Sequence, residues 1–489
     1  MNASPLRSAL ARALLAAAFT SGAAPAHAQA FDTPPQPGAP RPLAIQAPVE
    51  QHLPNGLRVV LAERRGVQLV TAQLVVLSGS EVDPADRAGL ASMTAGLLTK
   101  GTRKRSASAL AQAAESLGGA LDSSAGWHQS EVAITVTVPK LDAALALVAE
   151  VVRRPTFAPA ELERLRTQAL DELKVAYSRP GTLAALASQR LLFGGGAYGH
   201  PAGGTPASLA RITRANLVGL HAARFRPDNA VLVLAGDLDA AAALALARRH
   251  FGAWKAIRRA PASAPMLTGA ALVPTTAVID MPQSGQAAVI VAAPLPPLGA
   301  DRATASVMNA VLGGGYSSRL NQQIRIQRGL SYSAGSAIDA RPGGGALRAV
   351  VQTKNESAAE VVTLVQGELD RLAAAPVGAD ELAARKATLI GDFSRSVETT
   401  AGLAAAIKAL IVAGLPPADL RHRIEALAAV SAADVQRYAA ANLGAAGRRI
   451  VVAGDAARFA EALKAASPGL AIVPAGQLDL DLATGLRAP

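Results

Sequence analysis

Cysteine is absent from the 489 residues. That excludes disulfides, thiolate catalysis and cysteine-ligated zinc together. Aromatic residues make up only 3% of the chain although half of it is apolar, so the cores must be built from Ala, Leu and Val. No apolar run approaches the ~20 residues of a membrane-spanning helix. Dense Lys/Arg runs interleaved with aromatics are also missing. The net charge of +12 comes mostly from scattered arginines, which leaves nucleic-acid binding without support.

What is present begins with an export signal. Arg7 and Arg12 precede the run Ala13-Leu-Leu-Ala-Ala-Ala-Phe19, and Ala26-His27-Ala28 supplies a small-x-small cleavage site. Residues 1–28 read as a secretory signal peptide, too short in its apolar part to anchor the chain, and the expected location is the periplasm. Residues 29–48 are rich in proline and read as an extended linker.

Beyond the linker the chain is written twice. Thr213-Arg-Ala-Asn-Leu217 opens a helix before the apolar strand Ala230–Asp237, and Ser431-Ala-Ala-Asp-Val435 opens one before Arg449–Asp455. The two helix starts and the two strand ends, 213 to 431 and 237 to 455, are each 218 positions apart. Asp86-Arg87 recurs as Asp301-Arg302 after 215 positions, and Glu161-Leu162 as Glu381-Leu382 after 220. A period this long means duplicated domains, 49–257 and 271–480, joined by a Pro/Ala-rich connector at 258–270. Within a half, Glu131–Val138 alternates as a half-buried strand, Leu141–Val152 follows as an apolar-faced helix, and Ser106 or Ser108 N-caps a helix that stops at Gly118-Gly119. The expectation is an α+β fold of two homologous halves, each a mostly antiparallel mixed sheet packed with helices, arranged as a clam-shell.

Several stretches carry a resemblance: Leu53-Pro-Asn-Gly-Leu-Arg-Val-Val-Leu61, Ser78-Gly-Ser-Glu-Val-Asp83, Gly89-Leu-Ala, Lys100-Gly-Thr102, Ala197-Tyr-Gly-His-Pro201, Arg224–Val231, Gly313–Leu320 and Arg328-Gly-Leu-Ser-Tyr332. In order and over nearly the whole mature chain, they resemble the pitrilysin/insulinase family of zinc metallopeptidases, in the two-domain branch that includes the mitochondrial processing peptidases. The family's inverted motif His-x-x-Glu-His places two imidazoles on one helix face for zinc and a glutamate to activate water. Counted from Gly89-Leu-Ala, its positions fall on Ser92, Ala95 and Gly96. All three have lost the chemistry. The family's third ligand maps to Glu172, and one carboxylate cannot make a site that needs three protein ligands. None of the seven histidines stands at ligand spacing to another, and His200 reads as a turn or packing residue.

Other chemistries have little footing. Gly313-Gly-Gly315 lacks the Gly-Lys-Ser/Thr ending of a phosphate loop and reads as a tight turn before a helix capped by Ser317. Ser92 has no base near it in sequence. The stretch Ser317–Ala334 is expected to form a helix ending at the C-cap Gly329, with a strand from Leu330. By resemblance, Arg325 and Tyr332 are the pair that reaches a bound peptide, with Arg328 close enough to share the role. A guanidinium and a phenol suit a peptide carbonyl or a developing oxyanion. Apart from the family, Arg325 is also an ordinary exposed helix residue and Tyr332 an ordinary strand residue. The resemblance implies a non-catalytic, substrate-positioning subunit that holds no cofactor itself, with zinc in a homologous partner subunit and peptides or small proteins as substrates. The alternative is a peptide-binding or scaffold protein that cleaves nothing.

Overall fold

A computed structural model describes residues 45–255, 267–270, 272, 274–297, 299, 301–467, 469–482 and 486. The signal peptide, most of the proline-rich linker and most of the connector lie outside the described residues. Two six-stranded sheets form the frame. The first holds β1 (Val49–His52), β2 (Arg58–Glu63), β3 (Leu69–Val76), β4 (Asp122–Ala125), β5 (Ser130–Thr137) and β6 (Ala230–Gly236), in the order β1-β2-β6-β3-β5-β4. The second holds β7 (Thr276–Asp280), β8 (Ala287–Leu295), β9 (Ala334–Asp339), β10 (Gly345–Thr353), β11 (Arg449–Gly454) and β12 (Ala471–Pro474), in the order β12-β7-β11-β8-β10-β9.

Five strands of one sheet match five of the other in order and direction: β2 pairs parallel with β6 as β7 does with β11, and the remaining pairs are antiparallel. The edge strand breaks the symmetry. β1 precedes its sheet in the chain and runs antiparallel to β2, whereas β12 follows its sheet and runs parallel to β7. The landmarks 218 positions apart are real equivalents. Thr213 and Ser431 each close a capping box, accepting from the backbone N–H of Asn216 and Asp434.

Neither half covers both faces of its own sheet. One face of the first sheet packs on helices of the first half, through residues such as Leu61, Leu74, Ile134 and Leu232. The other face receives helix Thr400–Val412, from the second half, along β3 and β6. There Thr400 Oγ1 lies 2.9 Å from Thr71 Oγ1, and Lys408 pairs with Glu131 at 2.7 Å. Helix Pro180–Phe193, from the first half, lies in return on the second sheet, where Leu183, Ala187 and Leu191 pack with Ile279, Ile290 and Val451. Both helices are apolar on nearly every side, as a helix between two layers must be. This exchange explains why β3 and β6 are buried along almost their whole length, while β5 alternates as its sequence predicts.

Candidate functional site

Helix Leu90–Leu98 is the frame in which the zinc motif would stand. Gly89 starts it at φ +91°, a conformation that favours glycine. Asp83 reaches back to accept from Gly89 N at 3.0 Å and Ala91 N at 2.9 Å, satisfying two otherwise orphaned donors. Ser92 is exposed and Ala95 is buried, its carbonyl accepting from Ser123 Oγ at 2.8 Å. A Cβ built on Gly96 would meet Leu165 Cδ2 of the facing helix Pro159–Tyr177 at 3.1 Å. Glu172, on that same helix, is exposed and accepts from Gln168 Nε2 at 2.9 Å. A hydroxyl, a methyl and a hydrogen offer no imidazole and no base, so these residues do not fit zinc. Among the described residues no group of three His, Asp or Glu side chains is placed to hold a metal ion.

The second-half cluster differs from its sequence expectation in local structure. Its helix is a π-helical turn, Asn321–Ile326, preceded by helical Arg319 and Leu320. Ser317 does not cap it; the Ser317 hydroxyl instead accepts from Arg385 Nη1 at 2.6 Å. Gly329 does end it, at φ +64°, with its N–H on Arg325 O at 3.0 Å and Leu330 N–H on Ile324 O at 2.9 Å. The strand starts at Ala334, not at Leu330, because Ser331 Oγ turns to the Ser333 carbonyl at 2.7 Å and holds a bend. Tyr332 sits on that bend and is 86% exposed.

The bend brings Tyr332 to Arg325. The guanidinium lies over the Tyr332 ring at 4.7 Å and over the Tyr316 ring at 5.2 Å. Tyr316, 67% exposed and in the Gly-rich turn, is a partner that the sequence reading missed; only its spacing of nine from Arg325 hinted at it. Lying over two phenol rings, the guanidinium still has N–H donors to offer a carbonyl or carboxylate. Arg328 turns away, donating to Gln323 O at 3.0 Å and Gln323 Oε1 at 2.7 Å. Arg319 forks onto Glu381 at 3.1 and 2.8 Å.

A third cluster, between the halves, comes from Ala197–Pro201. Tyr198 is fully buried, edge-on to Trp127, His128 and Phe193 at 5.5, 5.5 and 5.6 Å. Arg341 of the second half lies over Trp127 at 4.1 Å and over Tyr198 at 4.7 Å, and it is paired with Asp339. His200 is buried 5.7 Å from Trp127. Burial lowers both His200 and His128 to about 4, with Arg341 adding repulsion. Near the first helix, burial raises Glu81 to about 7 and Asp83 to about 8, against the pull of the backbone donors that each accepts from.

These shifts have opposite signs. A lowered histidine contributes stability that is present above its ordinary 6.5 and is lost as pH falls through about 4. The raised carboxylates contribute stability that is complete below 4.5 and 3.8, and lost as pH rises through about 7 and 8. The stability difference between the native chain and His200→Gln is therefore expected to shrink by about 2 kcal/mol from pH 7 to pH 5. Urea denaturation at the two pH values checks this, and an unchanged difference would show that His200 titrates normally.

Comparison with known proteins agrees with this architecture. Residues 58–193 match the family model described as insulinase (peptidase family M16), and residues 211–389 match the model described as peptidase M16 inactive domain. The chain is 32% identical over 358 residues to a protein of Mycobacterium tuberculosis described as an uncharacterized zinc protease, covering 73% of this chain and 82% of that one. It is 28% identical over 277 residues to the non-peptidase homolog YmxG of Helicobacter pylori, covering 56% and 63%. Among solved structures, the peptidase M16 inactive domain from Pseudomonas fluorescens superposes with a TM-score of 0.78 at 27% identity, covering 83% of this chain and 98% of that one. On these similarities, and with its paired sheets, the chain belongs to peptidase family M16.

Proposed function

We propose that this chain is the non-catalytic, substrate-positioning subunit of a periplasmic heteromeric zinc metallopeptidase acting on peptides or small proteins. One contrast carries the reading. The metal positions hold Ser92, Ala95 and Gly96, which cannot ligate, while the half-buried Arg325 and the exposed Tyr332 stand together. A homologous subunit brings the zinc and the base, and this chain brings donors that hold the peptide. The resemblance of the M16 homologues, one of them a non-peptidase homolog, supports the family context. Export rests on the first 28 residues alone.

The test is co-purification with a zinc-bearing M16 homologue from the same cell, with zinc content and peptide cleavage measured for each chain and for the pair. Alone, this chain is expected to hold no stoichiometric zinc and to cleave nothing. The pair is expected to cleave faster than the partner alone, across an interface of the obligate size class. Tight one-to-one zinc with chelator-sensitive cleavage by this chain alone would sink the reading. Peptide binding with no stimulation of any partner would favour the scaffold alternative.

A further inference from the structure

The duplication gives the lost metal site a counterpart. Helices Arg302–Leu312 and Ala379–Ser396 stand in the second half where Leu90–Leu98 and Pro159–Tyr177 stand in the first. In the first half, Leu165 lies against Gly96. In the second half, the corresponding pair of helices borders a cavity of about 900 Å³ that extends to Trp127 and His128 of the β4–β5 hairpin. Its apolar wall includes Leu389, Phe393, Leu410 and Leu420, and its polar wall includes Arg302, Ser306, Asn309 and Arg423.

The charges in this cavity do not balance. Lys408 is paired with Glu131, and Arg341 with Asp339. Among the described residues the Arg423 side chain has only a neutral partner, Ser306 Oγ, at 2.9 Å. The Arg302 side chain makes no ion pair or hydrogen bond among the described residues, and the acid whose charge it feels, Asp419, is exposed. Burial, with repulsion from Arg302, lowers Arg423 to about 10. Arg341 Nη1 is also buried with no hydrogen-bond partner among the described residues. Two partly buried like charges facing one apolar-walled space are costly unless an anion joins them.

We propose that this cavity binds a carboxylate carried on an apolar body. The guanidiniums of Arg302 and Arg423 receive the carboxylate, and the wall of Leu389, Phe393 and Leu420 receives the apolar part. The volume is that of a small-ligand pocket. An inorganic anion would lose hydration to the apolar wall without replacement, whereas an amphipathic acid gains on both sides. The C-terminal end of a peptide with apolar last residues and a free fatty acid share this chemistry. The inference holds with or without a partner peptidase.

The experiment uses the full mature chain and three probes: N-acetyl-leucylphenylalanine, its C-terminal amide, and laurate. Binding is read by calorimetry and by the fluorescence of Trp127, one of two tryptophans. At least one of the two acids is expected to bind, with the amide at least tenfold weaker than the peptide acid wherever that acid binds. Arg302→Gln and Arg423→Gln are each expected to weaken binding about tenfold or more. Neither variant should melt below the native chain without ligand, because each separates a like-charged pair. Binding of the peptide acid or of laurate then identifies the source of the carboxylate. The proposal is overturned if neither acid binds, if acid and amide bind alike, if both variants bind as the native chain does, or if both melt lower.

Discussion

Arg325→Ala and Tyr332→Phe are each expected to lower turnover by the reconstituted pair on the order of a hundredfold, with fold and partner binding unchanged. That is the usual loss when one donor to a developing oxyanion is removed. Tyr332 is exposed and Arg325 is only half-buried, so neither change leaves a closed cavity. Because the guanidinium lies over the Tyr332 ring at 4.7 Å, the two groups act as a unit and the double variant should lose less than the product of the single losses. Arg328→Ala separates the two arginines: Arg328 is held by Gln323, and its loss should leave turnover near the native value. Arg319→Ala is no silent control, because it breaks the fork onto Glu381. Native turnover in both Arg325→Ala and Tyr332→Phe, measured on a peptide substrate, would show the pair to be structural.

Tyr198→Ala is expected to be the most destabilising single change, costing about 3–5 kcal/mol as a large aromatic is removed from a packed interior. The ring is fully buried among Trp127, His128 and Phe193 beneath Arg341, so its loss strips partners from both halves at once. Tyr198→Phe should cost only about 1 kcal/mol. It removes a hydroxyl that accepts from Gly343 N at 3.1 Å and meets His128 Nε2, but it keeps the packing. Urea denaturation measures both changes, and limited proteolysis between the halves should speed up in Tyr198→Ala. A loss below 1 kcal/mol for Tyr198→Ala would mean that the cluster does not fasten the halves.

How much was legible in the sequence follows from how local each signal is. The capping boxes at Thr213 and Ser431, the strands after them and the N-cap at Ser106 are written within a few residues, and the structure has all of them. The zinc-motif positions Ser92, Ala95 and Gly96 were counted from a resemblance, and they stand on helix Leu90–Leu98. The exchanged helices were not legible, because an apolar helix does not say which sheet it will cover. Tyr198 drew no reading of its own and His200 read only as a turn or packing residue, because Trp127 and Arg341 lie 71 positions before Tyr198 and 141 after His200. The strand at Leu330 was misplaced because a π-helical turn and a serine bend leave no periodicity to follow. Tyr316 was missed because a ring stacked on a cation leaves no mark in a glycine-rich turn.

The exchanged helices also set an order of events during synthesis. All strands of the first sheet are complete by Gly236, yet the helix that closes its second face begins only at Thr400. A chain emerging from its N-terminus must therefore carry a finished but half-naked sheet across more than a hundred and fifty further residues. Over that interval Val60, Val75, Val231 and Val233, all buried in the native chain, face water. Such sequence-distant closure slows folding and invites association between growing chains. Rapid refolding of residues 45–255 on their own is thus not to be expected, and a holding chaperone would act in the interval between the last strand of the first sheet and the arrival of the helix that covers it.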